Sequence, residues 1–144
     1  MPTRAELDAA YRATCYRMRL DDAIVELRVD RHHPELDDWL VAQGVSRWAW
    51  LSAANPGSRQ QGDADNARRH AALVERLAGQ GWRWTFGESV ADAGDWPVEN
   101  GVLVPGIAAA SACALARDYG QNALLIGNCG GPARLVWVDS PSTG

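Results

Sequence analysis

No cysteine pair, no long apolar run and no basic patch stands out in this chain of 144 residues. Its three cysteines, Cys15, Cys113 and Cys129, are far apart, odd in number and without C-x-x-C spacing. That argues against a disulfide framework and against a zinc site. No apolar stretch approaches bilayer-spanning length, and the N-terminus carries Asp and Glu where a signal peptide needs an apolar run. The expectation is a reduced, cytoplasmic setting with no membrane contact. The fourteen basic residues are scattered, Arg68-Arg69 being the densest pair, and the net charge is -4 with a pI near 5.3. A nucleic-acid partner would require a basic face, so none is expected. A Walker loop with its lysine and a G-x-G-x-x-G fingerprint are both absent, and no cofactor is expected.

What is present is material for a core. Hydrophobic residues make up 47% of the chain, enough for one domain over 1–144. Thr3-Arg4-Ala5-Glu6 is a capping-box pattern, and Leu7, Ala10, Tyr11, Thr14 and Met18 follow on one stripe, predicting a helix over residues 3–18. Residues 23–29 alternate as a half-exposed edge strand. Pro34 opens a short helix with Leu36, Trp39 and Leu40 inward, and Gly44 stops it. Residues 47–54 are apolar on both faces, predicting a central strand broken by Asn55-Pro56-Gly57.

Asp63 is suited to cap a helix running to about Ala78, with His70, Leu73, Val74 and Leu77 inward. Trp82 to Phe86 alternates as a strand, residues 88–97 read as an acidic loop, and residues 98–104 as a strand. An alanine-rich helix over 107–119 is predicted to face Ile107, Ala110, Ala114 and Leu115 inward. Residues 122–127 and 134–138 form a hairpin, and 139–144 read as a frayed tail.

Residues 47–127 therefore run strand, helix, strand, strand, helix, strand. This is the order of an α+β, ferredoxin-like βαββαβ core, preceded by helix–strand–helix and followed by one extra strand. Such a topology gathers the exit of its first strand, the start of its first helix, the start of its third strand and the approach to its last at one rim. Asn55, Ser58, Arg59, Asn66, Arg69, Glu99 and Gln121 are the candidate site residues there. Backbone N–H groups near Gly57-Ser58, with Arg59 or Arg69, suit a small polar or anionic ligand. The bland reading is that Asn55 caps a turn, Asn66 braces the loop and Glu99 pairs with Arg69.

These residues also carry a likeness. Ser52-Ala53-Ala54-Asn55-Pro56-Gly57-Ser58 with Asp65-Asn66-x-x-Arg69-x-x-x-Leu73, then Trp96-Pro97-Val98-Glu99-Asn100-Gly101-Val102-Leu103-Val104 and Ala116-Arg117-Asp118-Tyr119-Gly120-Gln121-Asn122-Ala123, resembles the bacterial domain of unknown function 3293. The likeness runs over most of the chain from Tyr11 onward. Ser52, Asp65 and Asn100 stand where that family usually has Thr, Glu and Ser, each exchange keeping a polar group. The resemblance implies a small bacterial protein and assigns no activity.

Other chemistries have weaker support. Ser58 lacks a G-x-S-x-G elbow, and Cys113 on its alanine-rich helix reads as an inert thiol. His32-His33 beside Asp30 and Glu35, or Glu88, Asp92, Asp95 and Glu99 together, would be the metal candidates, and no metal is expected. A different class of function, a homo-oligomeric or partner-binding scaffold, rests on Trp48 with Trp50 and Trp82 with Trp84 as an exposed aromatic sheet face.

Overall fold

The computed structural model describes residues 2–138. The frayed tail expected over 139–144 lies outside them. Among the described residues four helices accompany one curled antiparallel sheet of seven strands, ordered β2-β1-β4-β5-β3-β6-β7. The strands are β1 Thr14–Leu20, β2 Ala23–Leu27, β3 Arg47–Leu51, β4 Thr85–Ala91, β5 Glu99–Pro105, β6 Ala123–Asn128 and β7 Arg134–Trp137; the helices are α1 Arg4–Arg12, α2 Pro34–Gln43, α3 Asp63–Gly79 and α4 Ala109–Asp118.

The capping box at Thr3 and Glu6 starts α1, but the helix ends at Arg12 and the chain enters β1. The expected helix over 3–18, and with it the N-terminal helix–strand–helix, is thus corrected to helix–strand–strand–helix. Tyr16, Met18 and Leu20 are buried while Arg17 is half-exposed and Arg19 exposed, so period two overrides the helical stripe once β1 pairs with both β2 and β4.

A second correction concerns Trp82 and Trp84. They precede the strand, which runs from Thr85 through Ala91 and absorbs Glu88 from the expected acidic loop. In α4 the inward residues are Ala112, Leu115 and Ala116, with Ala110 and Ala114 exposed. The α3 N-cap is Gly62 without a side-chain cap, and Asp63 is the first helical residue.

The two faces of the sheet are covered differently. Leu73 and Leu77 of α3 and Ala112, Leu115 and Ala116 of α4 pack on Ala49, Leu51, Val102, Val104 and Leu124. The other face carries Tyr16, Met18, Trp48, Trp50, Leu103 and Leu125, against which α2 packs Leu36 and Leu40. The sheet curls around this second core. Asp30 N–H donates to Ala133 O at 2.7 Å and Ala133 N–H to Arg31 O at 3.0 Å, tying the chain beyond β2 to the approach to β7.

Glycines decide how the tryptophans lie. Gly87 and Gly101 are paired across β4 and β5. A Cβ on Gly101 would stand 2.3 Å from Trp50 Cζ2, and one on Gly87 would stand 3.0 Å from Trp50 Cζ3. Gly127, opposite Trp48, has the same relation to that indole at 2.6 Å. The rings therefore lie down across glycine gaps on the neighbouring strands. Trp48 and Trp50 are 2% and 3% exposed, so they cannot contribute to an exposed aromatic face.

Candidate functional site

The interior of the curl is only partly filled. On the side away from α2 it holds a cavity of about 410 Å³, within the range of small-molecule sites. Trp50, Tyr16, Leu125 and Leu135 are common to its lining and to the inner core, while Leu7, Ala10 and Tyr11 of α1 line it from the helix. None of the side chains of α1 is fully buried. That helix is held by an ion pair from Arg12 to Asp30, by Arg4 stacked 4.4 Å over Trp137, and by Tyr11 edge-on to Trp137 at 5.7 Å.

The polar wall is built by the loop after β3. Asn55 (φ 48°), Gly57 (φ 67°) and Ser58 (φ 60°) all take the left-handed conformation. Asparagine tolerates it through local hydrogen bonds, whereas for Ser58 it is strained backbone of the kind that collects at functional sites. The Ser58 hydroxyl accepts from Asn122 Nδ2 at 2.7 Å. Asn55, 4% exposed, uses its whole side chain: Oδ1 accepts from Gln61 N–H at 2.8 Å and from Asn66 Nδ2 at 2.9 Å, and Nδ2 donates to Glu99 Oε2 at 2.5 Å. Asn66 Oδ1 in turn accepts the Asn55 backbone N–H at 2.9 Å.

Four of the seven residues expected from sequence, Asn55, Ser58, Glu99 and Gln121, line the cavity. Gln121 Nε2 donates to Ala54 O at 3.0 Å. Asn66 and Arg69 stand behind the loop. Arg69 Nε donates to Ala53 O at 2.6 Å and its Nη2 to Tyr119 O, so it ties the loop to the end of α4 and does not pair with Glu99. Arg59 is exposed and is not part of the cavity wall. The N–H groups expected to hold an anion are occupied, since Gly57 N–H donates to Gly120 O and Ser58 N–H to Asn55 O.

Glu99 is the charged group of this wall. Burial raises its pKa above the ordinary 4.5, opposed by hydrogen bonds from Asn55 and from Trp96. The Trp96 Nε1 donor sits 3.0 Å from Oε2, the same oxygen that Asn55 serves. Oε1 accepts no hydrogen bond from a described residue. Tyr11 and Tyr16 stand close enough to feel this carboxylate. Burial raises the Tyr11 pKa, opposed by Ser58 and reinforced by Glu99; burial, Tyr11 and Glu99 together raise that of Tyr16. The wall can thus accept hydrogen bonds from a ligand and take up a proton at Glu99, while both phenols stay protonated and can donate.

The other titratable candidates are dispersed. His32 pairs with Asp37, His33 Nε2 accepts from Arg28 N–H at 3.1 Å, and Asp92 holds Arg28 by two bonds of 2.7 and 2.8 Å. No group of three or more His, Cys, Asp or Glu is gathered in metal-binding geometry among the described residues. No helix among them is long and apolar enough to cross a membrane.

The family model for a protein of unknown function, DUF3293, matches residues 51–124, just over half of the chain. The chain belongs to the DUF3293 family. No curated protein and no solved structure matches it. The DUF3293 span starts at Leu51, well after Tyr11, and contains the strained loop, Trp96, Glu99, Gln121 and Asn122. Tyr11, Tyr16, Trp50 and Leu125 lie outside it. Sequence reasoning missed these four as site residues. For Trp50 the available signal was the glycine inside each of two strands, which marks a close approach by another group.

A folded-state pKa above the unfolded value means that Glu99's contribution to stability is fully present below about pH 4.5 and is lost as pH rises through the folded value. Glu99→Gln keeps an acceptor for Asn55 and Trp96 and removes the half-buried charge. Its melting temperature minus that of the wild type is expected to increase as pH rises from 4 to 8. A difference independent of pH would show that Glu99 is not desolvated.

Proposed function

We propose that this protein binds a small polar ligand in the cavity beneath α1, with the Asn55–Glu99 wall as its polar contact. One observation carries the reading: Glu99 has both of its neutral donors on Oε2 and lines a cavity of about 410 Å³ with its second oxygen unengaged. Glu99 is half-buried; desolvating a carboxylate without using it is unfavourable, and strained or destabilised groups are retained where they serve a ligand. We further read the strand order β4-β5-β3-β6, with α3 and α4 on one face, as a ferredoxin-like core extended by the β1–β2 hairpin and by β7. Three free cysteines, Cys15 with its thiol pushed up to about 11, fit a reducing, cytoplasmic setting.

The test is a thermal-shift screen against a metabolite library with the wild type and Ala10→Phe. Ala10 is exposed on α1 and lines the cavity, so phenylalanine there fills the cavity at little cost to the helix. Stabilising compounds are expected for the wild type and lost in the variant. Equal shifts in both, or none in either, would overturn the reading.

A second reading, a partner-binding scaffold, has one observation in its favour. Trp39, Trp82, Trp84 and Pro105 line a shallower hollow of about 340 Å³ with Gln43 and Arg83.

A further inference from the structure

The nature of the ligand can be argued further, on the premise that the cavity is a ligand site. We propose that it takes a small organic cation, a primary amine or amidine on an apolar or aromatic body, with its N–H groups directed at Glu99 Oε1. Three observations support this class over others.

The first is charge. Glu6 and Glu99 are the ionisable carboxylates of the lining, and no Arg or His belongs to it. Glu99 makes no ion pair with a described residue, so among the described residues nothing neutralises its charge, which leaves the carboxylate open to a cationic ligand or to a proton. An anion would meet a carboxylate and loop N–H groups already in use.

The second is the pattern of open hydrogen-bonding atoms. Gln121 and Asn122 use their NH₂ groups on Ala54 O, Tyr119 O and Ser58 Oγ, leaving their carbonyl oxygens without a donor from a described residue. With Glu99 Oε1 these are three acceptors on one wall, which favours a ligand rich in N–H donors over a quaternary ammonium. The third is the aromatic lining: Tyr11, Tyr16, Trp50 and Trp96 offer ring faces and edges suited to an apolar body with a cationic end.

Isothermal titration calorimetry of the full chain at pH 8 with 2-phenylethylamine, 2-phenylethanol and 3-phenylpropionate tests the charge directly. The amine is expected to bind about tenfold tighter than the alcohol, the yield of one charge-assisted hydrogen bond, and the carboxylate weakest. Glu99→Gln should bring the amine down to the alcohol. In the wild type, lowering the pH through the Glu99 titration should weaken the amine and leave the alcohol unchanged, a readout that does not depend on the variant. Equal affinities for amine and alcohol, or an amine preference that survives Glu99→Gln, would overturn the cation assignment and leave the cavity standing. Absence of binding by all three would overturn the cavity reading as well.

Discussion

Trp50→Ala is expected to lower stability by about 3–5 kcal/mol, the range for deleting a large aromatic from a core. The indole is 3% exposed and edge-on to Tyr16 at 6.1 Å, and it covers the paired glycines of β4 and β5. Its loss uncovers the backbone at Gly87 and Gly101, and the new void joins the cavity that Trp50 lines, which limits collapse. The same contact has a converse. Gly101→Ala places a methyl 2.3 Å from the ring and 2.9 Å from Leu51 O, so it should destabilise, and Trp50→Leu should relieve the part due to the ring while the contact with Leu51 O stays. Urea denaturation of the three single variants and of the Gly101→Ala/Trp50→Leu double variant measures both effects. A loss below about 1 kcal/mol for Trp50→Ala, small beside those magnitudes, would mean the indole is not packed as described.

Asn55→Ala is the second large effect, expected at about 3 kcal/mol from its three side-chain hydrogen bonds. The change strips Glu99 Oε2 of one donor and leaves Gln61 N–H and Asn66 Nδ2 without their acceptor. It also puts alanine at φ 48°, where asparagine is better tolerated. Asn55→Gly loses the same bonds without the backbone strain and should be milder. Because the Asn55 hydrogen bond opposes the burial that raises the Glu99 pKa, either variant should move the Glu99 titration upward. Denaturation midpoints and a carboxyl-resolved NMR titration would check the two parts separately. An unmoved titration would show that Asn55 does not support the carboxylate.

Legibility in the sequence followed the range of the interactions. Elements set by neighbours a few positions apart were readable: the Thr3–Glu6 box, the left-handed stop at Gly44, the central strand at Trp48–Leu51 and the turn-forming Asn55-Pro56-Gly57-Ser58. Boundaries set by distant pairing were not. Tyr11, Thr14 and Met18 are spaced for a helix face, and only pairing of β1 with β2 and β4 selects the alternating pattern instead. Trp82 and Trp84 alternate with Phe86, yet they pack with the α3 and α4 core while Phe86 is 54% exposed on β4. At the site, chain order was enough to bring Asn55, Asn66, Glu99 and Gln121 together. It was not enough to assign Arg69, whose guanidinium serves carbonyls.

For the proposed ligand, the split between the polar wall and the apolar lining of the cavity has a consequence for specificity. The groups that would grip a ligand's polar end come from the loop after β3, from the start of β5 and from the two residues before β6, whereas those that would shape its body come mainly from α1, β1 and Trp50. Exchanges in the amino-terminal segment could retune which molecule fits while the same chemical hook is kept, so selectivity and anchoring can change independently.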